Sequence, residues 1–115
     1  MASPTVATRN FSGNTTNTTS HSVSLPSGLT SGDLLIVCFT CDSTGETITD
    51  PTGWTLITGT NLSAQGITSK AWYRVSDGGE GATLTVTTAG SEQSSHVSYR
   101  ITGHIAPGTQ APEAT

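Results

Sequence analysis

The longest apolar run in the chain is Leu34-Leu35-Ile36-Val37-Cys38-Phe39. It falls far short of the ~18–20 apolar residues that a membrane-spanning helix needs. Turn-forming clusters precede it at Pro26-Ser27-Gly28 and Ser31-Gly32-Asp33, and the polar stretch Cys41–Gly53 follows it, closing with Asp50-Pro51-Thr52-Gly53. A short apolar run bounded by turn signals, with β-branched and aromatic residues in it, is expected to be a central strand buried on both faces. Everything else in the fold has to be arranged around that strand.

The rest of the chain supplies little for a helical alternative. Thr (23) and Ser (15) make up about a third of the 115 residues, and Gly adds 13 more. These are poor helix formers. Further strands are expected where apolar residues alternate or cluster between turns: His21–Leu25, Trp54–Thr60, Ile67–Val75, Ala82–Thr88 and Ser94–Gly103. Asp77-Gly78-Gly79-Glu80-Gly81 is a strong loop signal, and Gly90–Gln93 is expected to be a turn. The fold expected is therefore all-β: an antiparallel, jelly-roll-like β-sandwich over residues 20–105. An extended N-terminal arm (1–19) and a Pro- and Gly-containing tail (106–115) flank it. The expected inward set is Val23, Leu25, Leu34, Ile36, Cys38, Trp54, Leu56, Tyr73, Val75, Leu84, Val86, Val97, Tyr99 and Ile101. Leu35, Val37, Phe39, Ile57 and Trp72 are left for a second face that packs on a partner.

Few residues suggest chemistry. Cys38-Phe39-Thr40-Cys41 is a C-x-x-C, but residues three apart on a strand point to opposite faces, so neither a disulfide nor a shared metal is expected. His21, His96 and His104 lack ligand spacing, and no G-x-S-x-G marks a nucleophile. Asp42, Glu46 and Asp50, or Asp77 and Glu80, read as solvated turn carboxylates rather than Ca²⁺ ligands, because their spacing matches no EF-hand. No catalytic residue, cofactor or metal is expected, and the chain reads as a non-enzyme. With four Lys and Arg, unclustered, and a net charge of −4, no nucleic-acid partner is expected. Trp72 alternates with Lys70 and Arg74 on Ile67–Val75, and Trp and Arg are favoured at interfaces, so these three are the expected contact residues. Trp54, Trp72, Tyr73 and Tyr99 are the aromatics available for stacking on a sugar.

Four Asn (Asn10, Asn14, Asn17, Asn61) precede x-Ser or x-Thr, which in so Ser- and Thr-rich a chain reads as a polar, turn-forming character rather than as glycosylation sites. The first residues carry no basic segment followed by an apolar one, so no secretory signal is expected. A surface of extracellular type without an export signal fits a protein assembled in a host cytoplasm and released by lysis.

Four segments taken together carry a resemblance. They are Ser24-Leu25-Pro26-Ser27-Gly28-Leu29-Thr30-Ser31-Gly32-Asp33-Leu34-Leu35-Ile36, Asp50-Pro51-Thr52-Gly53-Trp54-Thr55-Leu56, Trp72-Tyr73-Arg74-Val75 and Tyr99-Arg100-Ile101-Thr102-Gly103. Over residues 20–103 their order and spacing resemble β-sandwich domains of tailed-phage virion proteins, including capsid decoration (cement) proteins and tail or fibre modules. The resemblance implies a virion structural role on the capsid surface, with the major capsid protein as partner and a homo-oligomer, a trimer in the first instance. It transfers no catalytic residue. A tail- or fibre-associated module recognising host glycans, through Trp72, Tyr73 and loops 42–50 and 77–81, is the alternative expectation.

Overall fold

The computed structural model describes residues 3–112. They form seven strands and no helix: β1 (Thr5–Ser24), β2 (Leu34–Cys41), β3 (Ile48–Thr49), β4 (Thr55–Leu56), β5 (Leu62–Ala64), β6 (Ile67–Val75) and β7 (Thr83–Thr102). All pairings are antiparallel. The strand order is β1-β7-β2-β6-β4, with β3 joined to β7 and β5 to β6. The expected apolar run is β2, and it is central, paired with β6 on one side and β7 on the other.

One hydrogen-bonded sheet becomes a sandwich-like body because its two longest strands bend. Twelve residues of straight strand span ~40 Å, yet the Ser24 N–H donates to Ser12 Oγ, on the same strand, at 3.0 Å. The Ser98 hydroxyl likewise donates to Ser24 O at 2.6 Å. The β1–β7 ribbon therefore folds over on itself. One register shift falls between Val6 and Thr8, and two more fall between Asn14 and Ser20, opposite residues 87–94. Such bulges bend a strand and change which face its later residues present. On β1 the inward residues are even-numbered before the bend (Thr8, Asn10, Ser12) and odd-numbered after it (His21, Val23). On β7 they stay even from Leu84 through Ser98. Gly90 sits at the bend, where its N–H donates to Glu46 Oε1 at 2.9 Å.

Two expectations change here. The segment 5–19 is extended, but it is not a separate arm: it is strand, paired with β7 from Thr5↔Thr102 to Thr18↔Glu92. Its Thr- and Asn-rich sequence lacks apolar alternation, so only the available edge of β7 makes it a strand. Residues 83–102 are likewise one strand rather than two joined by a turn at Gly90–Gln93. In the C-terminal segment, Ala106 O accepts from Thr109 N (2.8 Å) and Gln110 N (3.1 Å). The ends of the expected arm and tail, residues 1–2 and 113–115, lie outside the described residues.

The core lies between the two layers. Val23, Leu25, Val37, Phe39, Cys41, Ile48, Trp72 and Val86 form one buried cluster, with Leu29, Trp54, Leu56 and Leu84 against it. On β2 and β6 this reverses the expected sides. Val37, Phe39 and Trp72, expected on a partner-binding face, are fully buried, whereas Ile36, Cys38 and Tyr73 are only partly buried and Val75 is exposed. Alternation identified the two faces correctly; it did not say which one points inward.

Candidate interaction face

Strand register assigns each side chain to a face. On the outer face of the larger layer, successive cross-strand rows read Val6–Ile101–Leu34–Val75, then Arg9–Tyr99–Ile36–Tyr73, then Phe11–Val97–Cys38–Ala71. The next row is Gly13–Ser95–Thr40–Ser69, extended by Leu62 of β5, and Ile67 follows with Ala64 beside it. β5 and β6 are joined by a two-residue turn, Gln65-Gly66, both at positive φ (51° and 88°), which sets this register.

Among the described residues, the large apolar side chains that remain well exposed are Val6, Phe11, Leu62, Ile67, Val75 and Ile105. The first five all fall on this one face. Ile105 lines a hollow of about 320 Å³ at its lower rim, with Leu34, Ile101 and Pro112. A shallow groove of about 400 Å³ crosses the face between Phe11, Cys38, Thr40 and Val97. Single exposed apolar residues are ordinary; here five share one side of the sheet, Val6 and Phe11 on β1, Val75 and Ile67 at the two ends of β6, and Leu62 on β5.

The residues expected at the interface lie on the opposite, inner side. Trp72 is completely buried, and its Nε1 donates to Asp50 Oδ1 at 2.8 Å. Lys70 Nζ donates to the same oxygen and to Ile48 O, both at 3.0 Å. Arg74 Nε donates to Glu80 Oε2 at 2.8 Å and its Nη2 to Asp77 Oδ2 at 2.9 Å. The two cations are thus neutralised by carboxylates from loops that fold over the inner side, which makes a charged alternation compatible with an inward face. Burial pushes the Glu80 carboxyl up, but hydrogen bonds from Ser76, the Asp77 N–H and Arg74 outweigh it and bring it to about 2.

The carboxylates weighed as cation ligands are engaged within the chain. Asp42 accepts from Gln93 N, Glu46 from Gly90 N, Asp50 from Trp72 and Lys70, and Asp77 and Glu80 from Arg74. Cys38 faces outward and Cys41 inward, and burial pushes both thiols up, away from the thiolate form. Of the stacking aromatics, Trp54 packs against the core, while Tyr73 and Tyr99 share one outer row with Ile36 between them.

A polar relay that the sequence did not indicate runs through the interior. His21 Nε2 bonds Thr88 Oγ1 at 3.0 Å, His21 Nδ1 bonds Ser94 Oγ at 2.7 Å, Ser94 Oγ bonds His96 Nε2 at 2.7 Å, and His96 Nδ1 bonds Ser12 Oγ at 2.8 Å. Burial lowers both imidazoles and favours their neutral form, and with neutral rings the hydroxyls set the direction. The Thr88 hydroxyl donates to Gly90 O and so accepts from His21 Nε2–H. His21 Nδ1 then accepts from Ser94, whose oxygen accepts from His96 Nε2–H, and His96 Nδ1 accepts from Ser12. Both rings are neutral, and each hydroxyl's proton is used. His21 packs edge-on to Phe39 and His96 stacks on it, with centroids 5.1 and 5.2 Å away. With His21 fully buried and His96 5% exposed, the relay ties the two halves of the bent β1–β7 ribbon together and lays both rings on Phe39 of β2.

Compared against family models, curated proteins and solved structures, the chain matches none.

Proposed function

We propose that this chain is a virion structural protein, a capsid decoration (cement) protein that binds and stabilises the major capsid lattice on the virion surface after assembly in the host cytoplasm. The observation that carries the reading is the outer face, the one side of the sheet on which exposed Val6, Phe11, Leu62, Ile67 and Val75 all fall on an otherwise Thr- and Ser-rich molecule. A protein that works by covering another surface needs such a face. The sequence resemblance over residues 20–103 supplies the virion context. The contact residues in this reading are Phe11, 67% exposed, and its neighbours, in place of the buried Trp72.

The test is to mix the chain with undecorated capsids and count bound copies by cryo-electron microscopy. Hundreds of copies per particle, depending weakly on salt because the net charge is only −4, are expected. No binding, or binding unaffected by Phe11→Asp, overturns the reading.

A second reading has one observation in its favour. Tyr73 and Tyr99 flank Ile36 in a single row, two strand spacings or ~10 Å apart, a geometry suited to stacking on a saccharide chain. It corresponds to a tail- or fibre-associated module that recognises host glycans. A handful of copies per particle, together with glycan binding lost in Tyr73→Ala, selects this reading.

A further inference from the structure

We infer that the free edge of β1 between Thr8 and Asn14 is a strand-addition site, which takes an extended peptide segment of a partner protein carrying an acidic residue opposite Arg9 and an apolar one opposite Phe11. The inference does not rest on the capsid reading. The edge is a property of the backbone, and a strand added to it widens the outer face instead of covering it.

Position is the first argument. β1 ends the strand order, so residues 8–14 are paired with β7 on one side only. Over this stretch the register runs without a shift, and the sequence holds no Pro, Lys, Asp or Glu. Edge strands are ordinarily blunted by shortness, bulges, Pro or Lys. At the opposite rim β4 and β5, two and three residues long, are blunted by shortness. Residues 8–14 carry none of these devices.

Backbone accounting is the second. The Phe11 N–H donates to the Asn10 side-chain Oδ1 at 2.9 Å, so it points away from β7. Main-chain groups along a strand alternate in direction residue by residue, hence those of Arg9 and Gly13 point the same way. Among the described residues, no backbone group outside the β1–β7 ladder bonds the N–H or C=O of Arg9 or Gly13, or the C=O of Phe11. An added strand satisfies these groups, and the Phe11 N–H once Asn10 releases it. Main-chain bonds of this kind supply affinity, and alternate side chains supply specificity.

Side-chain chemistry is the third. Arg9 and Phe11 are exposed on the outer face, and among the described residues Arg9 is the one Lys or Arg without a carboxylate partner. Directly opposite residues of neighbouring strands touch, so a carboxylate suits the place beside Arg9 and an apolar side chain the place beside Phe11. Asn10, between them, faces inward onto a hollow of about 690 Å³ that Leu25, Pro26, Leu29 and Gly81 also line. The intervening residue of the added strand lies over this hollow. In an antiparallel strand the partner's motif therefore reads apolar, inward-packing, acidic. A second copy fits less well, because its residues 8–14 bring another Arg9 and no carboxylate.

The experiment is an NMR titration of the isotope-labelled full chain with the capped peptide Thr-Thr-Thr-Val-Leu-Glu-Thr. In antiparallel register this sets Val opposite Phe11, Leu over the hollow and Glu opposite Arg9. A second peptide carries Lys in place of Glu. Saturable binding is expected, with slowed amide exchange at Arg9 and Gly13 and a roughly two- to fivefold preference for the Glu peptide, the range of a cross-strand ion pair. Arg9→Glu is expected to reverse the preference. Arg9→Pro removes an outward donor, which an edge strand tolerates, and is expected to weaken binding of the Glu peptide roughly tenfold with far-UV circular dichroism unchanged. No binding of either peptide at millimolar concentration overturns the inference. So does binding without protection of Arg9 and Gly13, or a preference untouched by Arg9→Glu. Concentration-dependent protection of the same amides without peptide assigns the edge to a second copy and also overturns it. A chain that takes the peptide but binds no capsid loses only the decoration reading. One that decorates capsids through Phe11 but takes no peptide loses only strand addition.

Discussion

Trp72 and Asp50 are joined by a 2.8 Å hydrogen bond from the indole Nε1 to Oδ1, across the inner side of the sheet. The same oxygen accepts from Lys70 Nζ at 3.0 Å, so one carboxylate holds two β6 side chains and fastens the loop after β3 over the core. Burial raises the Asp50 carboxyl, but the hydrogen bonds from Trp72 and Lys70 outweigh it and hold it below its usual value. Asp50→Ala leaves a buried indole N–H without its acceptor and is expected to cost about 2 kcal/mol. Asp50→Asn keeps a side-chain oxygen and is expected to cost less than half of that. Urea unfolding followed by tryptophan fluorescence checks both.

Trp72→Ala is expected to cost about 3–5 kcal/mol, the range for a large aromatic removed from a packed core. Against a total of ~5–15 kcal/mol for a typical domain this is a large fraction. The expected result is a fall in both the thermal midpoint and near-UV circular dichroism. Loss of association with the fold intact would place the indole on a surface instead.

Acid should lower the stability of the protein across two pH windows. Burial lowers His96 from 6.5 to about 4, with the neighbouring His21 adding to the shift. Burial also lowers His21, against smaller upward pulls from the Thr18 backbone and Glu46. Between pH 6.5 and 4 the unfolded chain binds protons that the folded chain refuses. Stability therefore falls as pH drops through this window, by about 3 kcal/mol for His96, and levels off below it. His96→Phe keeps a ring against Phe39 but does not titrate. It is expected to lose stability at pH 7, where the Ser12 and Ser94 hydroxyls lose a partner, and to flatten the slope between pH 4 and 6.5. Urea midpoints across that range give the measurement.

The second window belongs to Glu80, whose side chain is 4% exposed beside Arg74. Its pKa of about 2, against 4.5 unfolded, means stability that is fully present above 4.5 and lost as pH falls toward 2, again about 3 kcal/mol. Glu80→Gln should remove this acid-dependent loss and lower stability at pH 7 by about 2–4 kcal/mol, because Arg74 and Ser76 lose a charged acceptor. Loss of the low-pH transition in this variant, with the pH 4–6.5 slope retained, is the expected signature.

Much of this architecture is written locally. The run Leu34–Phe39 between turn clusters specifies a central strand, and the scarcity of helix formers specifies an all-β chain. Alternation in Ile67–Val75 separates Lys70, Trp72 and Arg74 from Ala71, Tyr73 and Val75, and the C-x-x-C spacing sends Cys38 and Cys41 to opposite faces. All of these depend on neighbours in sequence. The exposed apolar face was not legible in the same way. Phe11 stands in a Thr- and Asn-rich stretch whose strand exists only because β7 offers an edge. Val97, Tyr99 and Ile101 have the alternation of core residues.

The sequence by itself determined the all-β character, the strands β2 and β6 and which of their side chains share a face; the strand over 5–19 and the unbroken β7 came only with the tertiary structure. Only the tertiary structure decided which face is inside. A period of two is symmetric: it names two sides and is silent about their environment. The choice is made by residues distant in the chain. Asp50, Asp77 and Glu80 neutralise Lys70 and Arg74 so that Trp72 can be buried, and bulges between Asn14 and Ser20 fold β1 over so that His21 and Val23 close the core. Arg74 finds Asp77 and Glu80 three and six residues on, but Asp50 lies 20 residues from Lys70 and His21 bonds Ser94 73 residues away, and no local pattern encodes those long-range partners.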